Sequence, residues 1–429
     1  MNTRRTSSPE SSGERAALLT LTTRATRGID PDTALDELAG LADAAGAVIV
    51  VRAVQERATP DPATLFGKGK AEEMAMACEA ADVKVVIVDH TLTPAQGRNL
   101  EAVFHCRVID RTELILDIFA RRARTREGKL QVELAQLQYL LPRLVGSSAA
   151  LSRTGGGIGT RGPGETKLET DRRRIRHRIS ALKEEIAEVS ERRGYLRARR
   201  KRGEVPTVAL VGYTNAGKTT LFNALTGDQA VASDALFVTL DPLVRRVKLP
   251  DARQLMVADT VGFIDRLPHQ LVAAFRATLE EVVHADLLLH VIDASAPDRE
   301  RRERAVRDVL TEIGAGAVPV LEVYNKCDRL SAVDRERLVS ASPGAVGVSA
   351  AFGEGVRELT DLVASRVEMD TEHVTFTLDF SNDVDRHVLT ELHRHARVTS
   401  QVTVGAQVTV EADVPRRVRD RLGRLLEAQ

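Results

Sequence analysis

The sequence predicts an α/β protein in several parts. A central three-layer α/β domain, residues 206–366, follows an N-terminal α/β subdomain and a basic helical hairpin, and precedes a small α+β domain. Three observations carry this prediction. Apolar strand-like runs alternate with helical stretches between Pro206 and Val363. Two segments flanking a glycine-rich stretch repeat leucine or isoleucine at helical spacing. Residues 372–429 mix strand-like runs with a polar helical stretch and an Arg/Leu-rich end. Composition agrees: 429 residues with 43% apolar content suffice for several cores, while 3% aromatic content and no tryptophan leave few stacking surfaces. Lys plus Arg equals Asp plus Glu, 61 each, a balance that still permits a strongly basic face. Cys78, Cys106 and Cys327 are too far apart for a disulfide scaffold or a metal knuckle, which fits a reducing compartment and a cytoplasmic location. The polar start "MNTRRTSSPESSGER" has no secretion signal, and no apolar run approaches the roughly twenty residues that span a bilayer.

Taken in order, residues 1–15 read as a flexible tail. Residues 16–119 form the α/β subdomain, with a strand at "AVIVV" after Gly46, a helix from Gly69 to Ala80 and a buried strand from Val83 to Asp89. Its "FGKGK" lacks the spacing and hydroxyl of a phosphate loop and reads as a turn at a helix start. Residues 120–205 carry the hairpin. Leu130, Leu134, Leu137, Leu141 and Leu144 share one helix face. Leu168, Ile175, Leu182, Val189 and Leu196 recur every seven residues, with Ile179 and Ile186 between them, so the second helix pairs antiparallel with the first. The glycines at 155, 156, 157, 159, 162 and 164 fall in the connection as a mobile tip. Arginine runs in "FARRARTREGK", "ETDRRRIRHRI" and "ERRGYLRARRKR" are a solvated face or a surface for phosphates, and few aromatics favours folded RNA over stacked single strands.

Pro206 opens the central domain. The strand-like "TVALVG" runs into Gly212, Tyr213, Thr214, Asn215, Ala216, Gly217, Lys218 and Thr219, a complete GxxxxGK[ST] loop before a helix. Backbone N–H groups and the helix N-terminus cradle phosphates there, Lys218 neutralises β/γ oxygens and the Thr219 hydroxyl reaches Mg²⁺; ATP and GTP both remain open on this motif alone. Asp259, Thr260, Val261 and Gly262 end the next strand, with an acid for the Mg²⁺ shell and a Gly262 amide for the γ-phosphate. Asn325, Lys326, Cys327 and Asp328 follow "VPVLEVY" and look like the guanine-reading NKxD signature. The Asp328 carboxylate accepts from guanine N1–H and the exocyclic amine, donors that adenine lacks, while Lys326 packs along the base and Asn325 braces the loop. Ser349 and Ala350, with Ala351 beside them, resemble a base-capping loop. Thr239 is the candidate switch threonine, a second hydroxyl for Mg²⁺, within a nucleotide-lining segment that includes Phe237, Val238, Leu240 and Asp241. Phe263 stands where signalling GTPases carry a water-orienting glutamine, which predicts slow unassisted turnover.

These residues, together with "PDPATLFGKGK", "LTPAQGRNLE", "VIDRTELILDIFARRARTREGKLQVELAQLQYLLPRL", "LSRTGGGIGTRGPGETKLE" and "VGYTNAGKTTLFNAL", resemble the HflX family of ribosome-associated translational GTPases over almost the whole chain. The resemblance implies a P-loop GTPase domain behind an N-terminal α/β plus hairpin domain, and a less constant C-terminal domain. It implies GTP hydrolysis to GDP and phosphate, with Lys218, Thr239 and Gly262 as the catalytic set, and Mg²⁺ on Thr219 and Thr239. Asn215 resembles the asparagine that recruits a monovalent cation, K⁺, in related GTPases. As partners it implies the large (50S) ribosomal subunit and the 70S ribosome, with 23S rRNA met by the hairpin and its glycine tip, and a monomer off the ribosome. As function it implies splitting of stalled or hibernating 70S and 100S ribosomes with ribosome-stimulated hydrolysis. The alternative is a GTP-regulated large-subunit assembly or scaffold factor that splits nothing.

Overall fold

The computed structural model describes residues 13–23, 30–144, 167–202, 205–228, 230, 236, 237, 239, 242–249, 253–265, 276–367, 371–415, 418, 419, 422, 423 and 426. The chain divides into two compact units. The first comprises Met1–Ala187 with Ala235–Phe237 and Leu267–Ala274, and the second comprises Glu188–Asp234, Val238–Arg266 and Phe275–Gln429.

The first unit is built on a parallel sheet of order β2-β1-β3-β4: β1 Glu14–Thr22, β2 Ala47–Glu56, β3 Val85–Val88 and β4 Arg107–Asp110. Helix α1 (Pro31–Ala44) starts on Asp30, whose carboxylate accepts from the Thr33 amide, with Pro31 pre-set for the first turn. Helix α2 spans Lys68–Ala80, and α3 (Pro94–Phe104) begins with a reciprocal capping box between Thr93 and Gln96. Strand β1 is a finding that sequence reading missed. Its "AALLTL" is buried throughout at the centre of the sheet and lacks the polar alternation that marks a half-exposed strand, and its first two residues lie in the stretch read as tail. Helix α4 (Arg111–Arg122) is capped by Asp110, which also receives Arg143 at 3.0 Å.

The hairpin joins α5 (Arg126–Arg143) to α6 (Lys167–Arg202). Leu130, Leu134 and Leu182 form a small core, with Leu137, Ile179 and Ile186 packed on it. Arg178 grips Glu133 with two bonds of 2.7 and 2.8 Å, and Arg126 meets Glu185 at 3.4 Å, so numbers rise on one helix as they fall on the other. The leucine seam outweighs these ion pairs: a buried leucine contributes about 1.5–3 kcal/mol, an exposed pair about 0–1, so the pairs set register more than stability. Leu141 and Leu144 do not join this core; the same end of α5 is instead tied down by Arg143, which also donates to the Leu92 carbonyl at 2.8 Å. The glycine tip lies outside the described residues, as do the side chains of the last arginine run.

The second unit holds a six-stranded sheet of order β10-β9-β8-β5-β7-β6. Strands β5 Thr207–Val211, β7 Gln254–Asp259, β8 Leu287–Asp293, β9 Val320–Asn325 and β10 Val346–Gly347 are parallel. Strand β6 (Leu243–Lys248), another element that sequence reading missed, runs antiparallel at the edge. Its outward Arg245 and Arg246 disguise it. Helices α7 Lys218–Thr226, α8 Arg276–Val283, α9 Arg299–Glu312, α10 Ala332–Ala341 and α11 Val356–Arg366 alternate with the strands. Val208, Leu210, Leu221, Phe222, Val291 and Val323 belong to its core. The last part is an antiparallel sheet of order β11-β13-β12, with β11 Thr371–Asp379, β12 Arg397–Val404, β13 Gln407–Pro415 and α12 Asp383–His395. The stretch "SQVTVGAQVTVEA" is thus a hairpin, turning where Gly405 takes φ +63°. Among the described residues no helix is long and apolar enough to cross a membrane.

Candidate functional site

Parallel α/β sheets bind ligands beyond the carboxyl ends of their strands, and β5, β7, β8 and β9 deliver the motif residues to that edge. The phosphate loop leaves β5 at Gly212, whose φ is +155° and where a Cβ would come 2.3 Å from the Val291 carbonyl oxygen. Gly217, at φ +87°, faces Asn325 so closely that a Cβ would lie 2.2 Å from Nδ2. Only glycine fits either place. Asn215 takes φ +58°, a left-handed conformation that asparagine tolerates. Lys218 is buried, and its Nζ donates to the carbonyls of Tyr213 (2.8 Å) and Gly212 (3.1 Å). Burial pushes its ammonium down to about 8, against the pull of nearby Asp259.

Asp259 ends β7 fully buried. Its Oδ2 accepts from Thr219 Oγ1 at 2.8 Å and from Thr239 Oγ1 at 3.1 Å, while the two hydroxyls lie 2.8 Å apart. Two hydroxyl protons serve three close oxygen–oxygen contacts, and Asp259 Oδ1 is buried with no hydrogen-bond partner among the described residues. Burial raises the Asp259 carboxyl, opposed by Lys218 and the two threonines. A cluster of hard oxygens short of protons is the donor set Mg²⁺ takes, so Thr219, Thr239 and Asp259 fit that ion.

The segment after Asp259 lies along the phosphate loop. Thr260 Oγ1 donates to the Leu210 carbonyl at 2.6 Å, Phe263 N–H to the Gly212 carbonyl at 3.0 Å, and Thr214 N–H to the Phe263 carbonyl at 2.7 Å. A Cβ at Gly262 would meet Thr214 at 2.9 Å and Lys218 Nζ at 3.1 Å, so glycine lets the backbone pass beside the Lys218 ammonium. The Phe263 ring is wholly buried, in accord with its inability to hold water. Sequence reading missed the staple on this segment: the Asp265 amide donates to the Tyr213 hydroxyl at 3.0 Å, and Arg301 holds the Asp265 carboxylate at 2.8 Å.

At the other end of the loop, Asn325 Nδ2 donates to the Ala216 carbonyl (2.8 Å) and Asn325 Oδ1 accepts from the Ala350 amide (3.0 Å). Lys326, at φ +63°, donates to the Asn215 carbonyl at 2.7 Å and to Asp293 at 2.8 Å. Asp328 is exposed, steadied by Ser349 Oγ at 2.5 Å. Asp293, the last residue of β8, has no motif of its own; the sheet alone sets it beside Asn325, so no spacing could have found it.

Some expected residues fall elsewhere. The Phe237 side chain, expected to line the nucleotide, is buried edge-on against Phe119 in the first unit, ring centroids 4.7 Å apart, because its apolar ring finds a core partner there. Cys327 turns inward, its Sγ donating to the Tyr324 carbonyl, and offers only backbone to a ligand. Ala351 is exposed beside the loop. Val238, Leu240 and Asp241 lie outside the described residues.

Three family models match in series: GTP-binding GTPase N-terminal over residues 32–120, GTP-binding GTPase middle region over 122–200, and 50S ribosome-binding GTPase over 207–326. The GTPase HflX of Caldanaerobacter subterraneus subsp. tengcongensis is 46% identical over 393 residues, covering 92% of this chain and 90% of that protein. GTPase HflX of Escherichia coli K12 is 49% identical over 348 residues, covering 80% and 81%. A GTP-binding protein of Sulfolobus solfataricus, solved with GDP, is similar over 82% of this chain and 98% of that one, at 24% identity and a TM-score of 0.44, too loosely for a detailed comparison. Identity near one half over nine-tenths of the chain decides the matter: this protein belongs to the HflX family and is a GTPase.

Proposed function

We propose that this HflX-family GTPase hydrolyses GTP in association with the ribosome, binds the large subunit and uses that cycle to split stalled or hibernating 70S and 100S ribosomes. The observation that carries this reading is the union, in one chain, of a guanine-nucleotide site with a hairpin whose exposed arginines include Arg173, Arg174, Arg176 and Arg178. In this division residues 16–119 and 120–205 form the ribosome-facing part, 206–366 the G domain and 372–429 an accessory α+β domain. The hairpin meets 23S rRNA through the glycine-rich stretch Gly155–Gly164 of its connection, where Arg153, Arg161 and Lys167 neutralise phosphates. The protein works in the cytoplasm and is a monomer away from the ribosome.

At the nucleotide, Gly212–Thr219 cradle the phosphates and Lys218 neutralises the β/γ oxygens. Thr219 and Thr239 would hold Mg²⁺, with Asp259 anchoring the two hydroxyls, and the ion would supply neutralisation of phosphate charge. Gly262 presents its amide to the γ-phosphate, Asn215 recruits K⁺, and Asp328 reads guanine under the Ser349–Ala351 cap. With Phe263 in the place of glutamine, the attacking water is ordered by backbone, another side chain or the ribosome, so turnover rises on 50S binding.

The test is intact 70S particles with protein and GTP, followed by light scattering. Splitting lowers the signal; bound particles that stay intact leave the assembly or scaffold role. Deleting Gly155 to Gly159 is expected to abolish splitting and 50S-stimulated turnover while GDP affinity of the free protein stays within about twofold.

A further inference from the structure

We infer that Asp293 positions Lys326 along the guanine base, and is therefore a determinant of guanine-nucleotide affinity that lies outside the G motifs. The inference rests on the reading of Asn325–Asp328 as the base-recognition loop.

Lys326 stands in a left-handed turn, directly after the last residue of β9. Its ammonium has three N–H donors and is held from two sides, by the neutral Asn215 carbonyl at 2.7 Å and by the Asp293 carboxylate Oδ2 at 2.8 Å. Both charged side chains are largely shielded, with Asp293 12% and Lys326 15% exposed. A lysine pinned at its backbone and at its ammonium has only its four-carbon stem left to present, and the stem is the part that packs on a flat base. The charged partner is the stronger of the two anchors, because charge-assisted hydrogen bonds are roughly twice as strong as neutral ones.

Asp293 is itself fixed. Its second oxygen, Oδ1, accepts from the Ser295 amide at 3.0 Å and from the Ser295 hydroxyl at 2.7 Å. Its backbone pairs with Asn325 across the parallel strands, and the next amide, Ala294, donates to the Asn325 carbonyl at 2.9 Å. Burial would raise its carboxyl, but Lys326 and Ser295 more than offset this and hold it below the ordinary range, so it stays ionised at neutral pH. The competing account is that Asp293 merely closes the turn onto Ser295. Asparagine serves that turn equally well, because its carbonyl oxygen accepts the same two bonds, and this separates the accounts.

The experiment is a double-mutant cycle in the full-length protein, read as displacement of fluorescent GDP by GDP and by GTP, with thermal melts alongside. Asp293→Asn is expected to weaken both nucleotides equally, by about tenfold, since base and ribose are common to them. Lys326→Met keeps the stem and removes the ammonium, and the double variant should bind within about twofold of Lys326→Met alone. Ser295→Ala, which frees the Asp293 hook without touching either charge, should cost about threefold in the same direction. Additive losses in the double variant, or an Asp293→Asn protein that binds like the native one, would overturn the inference. Should Asp293→Asn melt early, Ser295→Ala in the native and Lys326→Met backgrounds completes the cycle instead, and additivity there refutes it equally. The underlying base reading has its own readout: Asp328→Asn should exchange GDP preference for xanthosine diphosphate, and failure of that exchange removes the base-loop assignment whatever the cycle gives.

Discussion

The two ends of the nucleotide site differ in how completely they are satisfied. At the base end, Asn325, Lys326, Asp328 and Ser349 are each already bonded into the phosphate loop, β8 or one another. At the phosphate end, Asp259 Oδ1 and Thr214 Oγ1 are buried with no hydrogen-bond partner among the described residues, two threonine hydroxyls crowd one carboxylate oxygen, and Lys218 is driven toward neutrality. The contrast teaches where binding energy goes. A satisfied end is preorganised and selects the ligand with little rearrangement. Buried polar groups without such partners cost free energy, so this is the end where binding of a charged ligand is expected to gain most.

The largest expected effect breaks the phosphate end outright. Lys218→Ala removes the positive charge that faces the β/γ-phosphates, and GTP affinity or turnover should fall by about one to two orders of magnitude with circular dichroism unchanged. Native-like affinity in a folded Lys218→Ala protein would erase the distinction between the two ends. The next effect sharpens the comparison through pH. Burial holds the Lys218 ammonium down at about 8, below the ordinary lysine value of 10.5. Phosphates favour the charged form, so binding takes up a proton above about pH 8, and GDP affinity should drop by up to about tenfold per pH unit there. Calorimetry at pH 9 in buffers of different ionisation heat should show that uptake, and Lys218→Ala should abolish it. The sign for stability is opposite: between about 8 and 10.5 the unfolded chain binds the proton more tightly, so the nucleotide-free protein gains stability as pH rises through that window. The smallest effect belongs to the satisfied end. Ser349→Ala removes one 2.5 Å bond to Asp328, yet that carboxylate is exposed and water can replace the hydroxyl. Guanine-nucleotide affinity should fall only about threefold, measured by fluorescent GDP binding.

Much of the site was legible because its motifs are contiguous. A glycine at 212 or 217 is dictated by close approach to Val291 and Asn325, and such close approach leaves its mark on sequence as a glycine at a fixed place in a short pattern. Asp259 and Asp328 were legible for the same reason: Asp259 ends β7 and opens a short signature, and Asp328 closes the four-residue signature that begins at the end of β9. Asp293, Asp265 and Arg301 were not, since their partners lie on other strands or helices and nothing local marks them. Strand β1 escaped because it opens on charged Glu14 and Arg15 and is broken by Thr20, so it lacks the unbroken β-branched run by which β3 was read, and β6 escaped because its edge position covers it in charge.

By itself the sequence determined the nucleotide class, the phosphate loop between strand and helix, and the spacing of three and four that sets Ile179, Leu182 and Ile186 against α5, all consequences of local spacing and periodicity. Only the tertiary structure decided which residues those motifs lean on. Sheet order puts Asp293 beside Asn325, and packing turns Phe237 into a core ring against Phe119 where sequence order had set it among the nucleotide contacts. The physical reason is that a motif fixes a backbone path over a few residues, whereas burial and charge pairing depend on which distant segments the whole chain brings into contact.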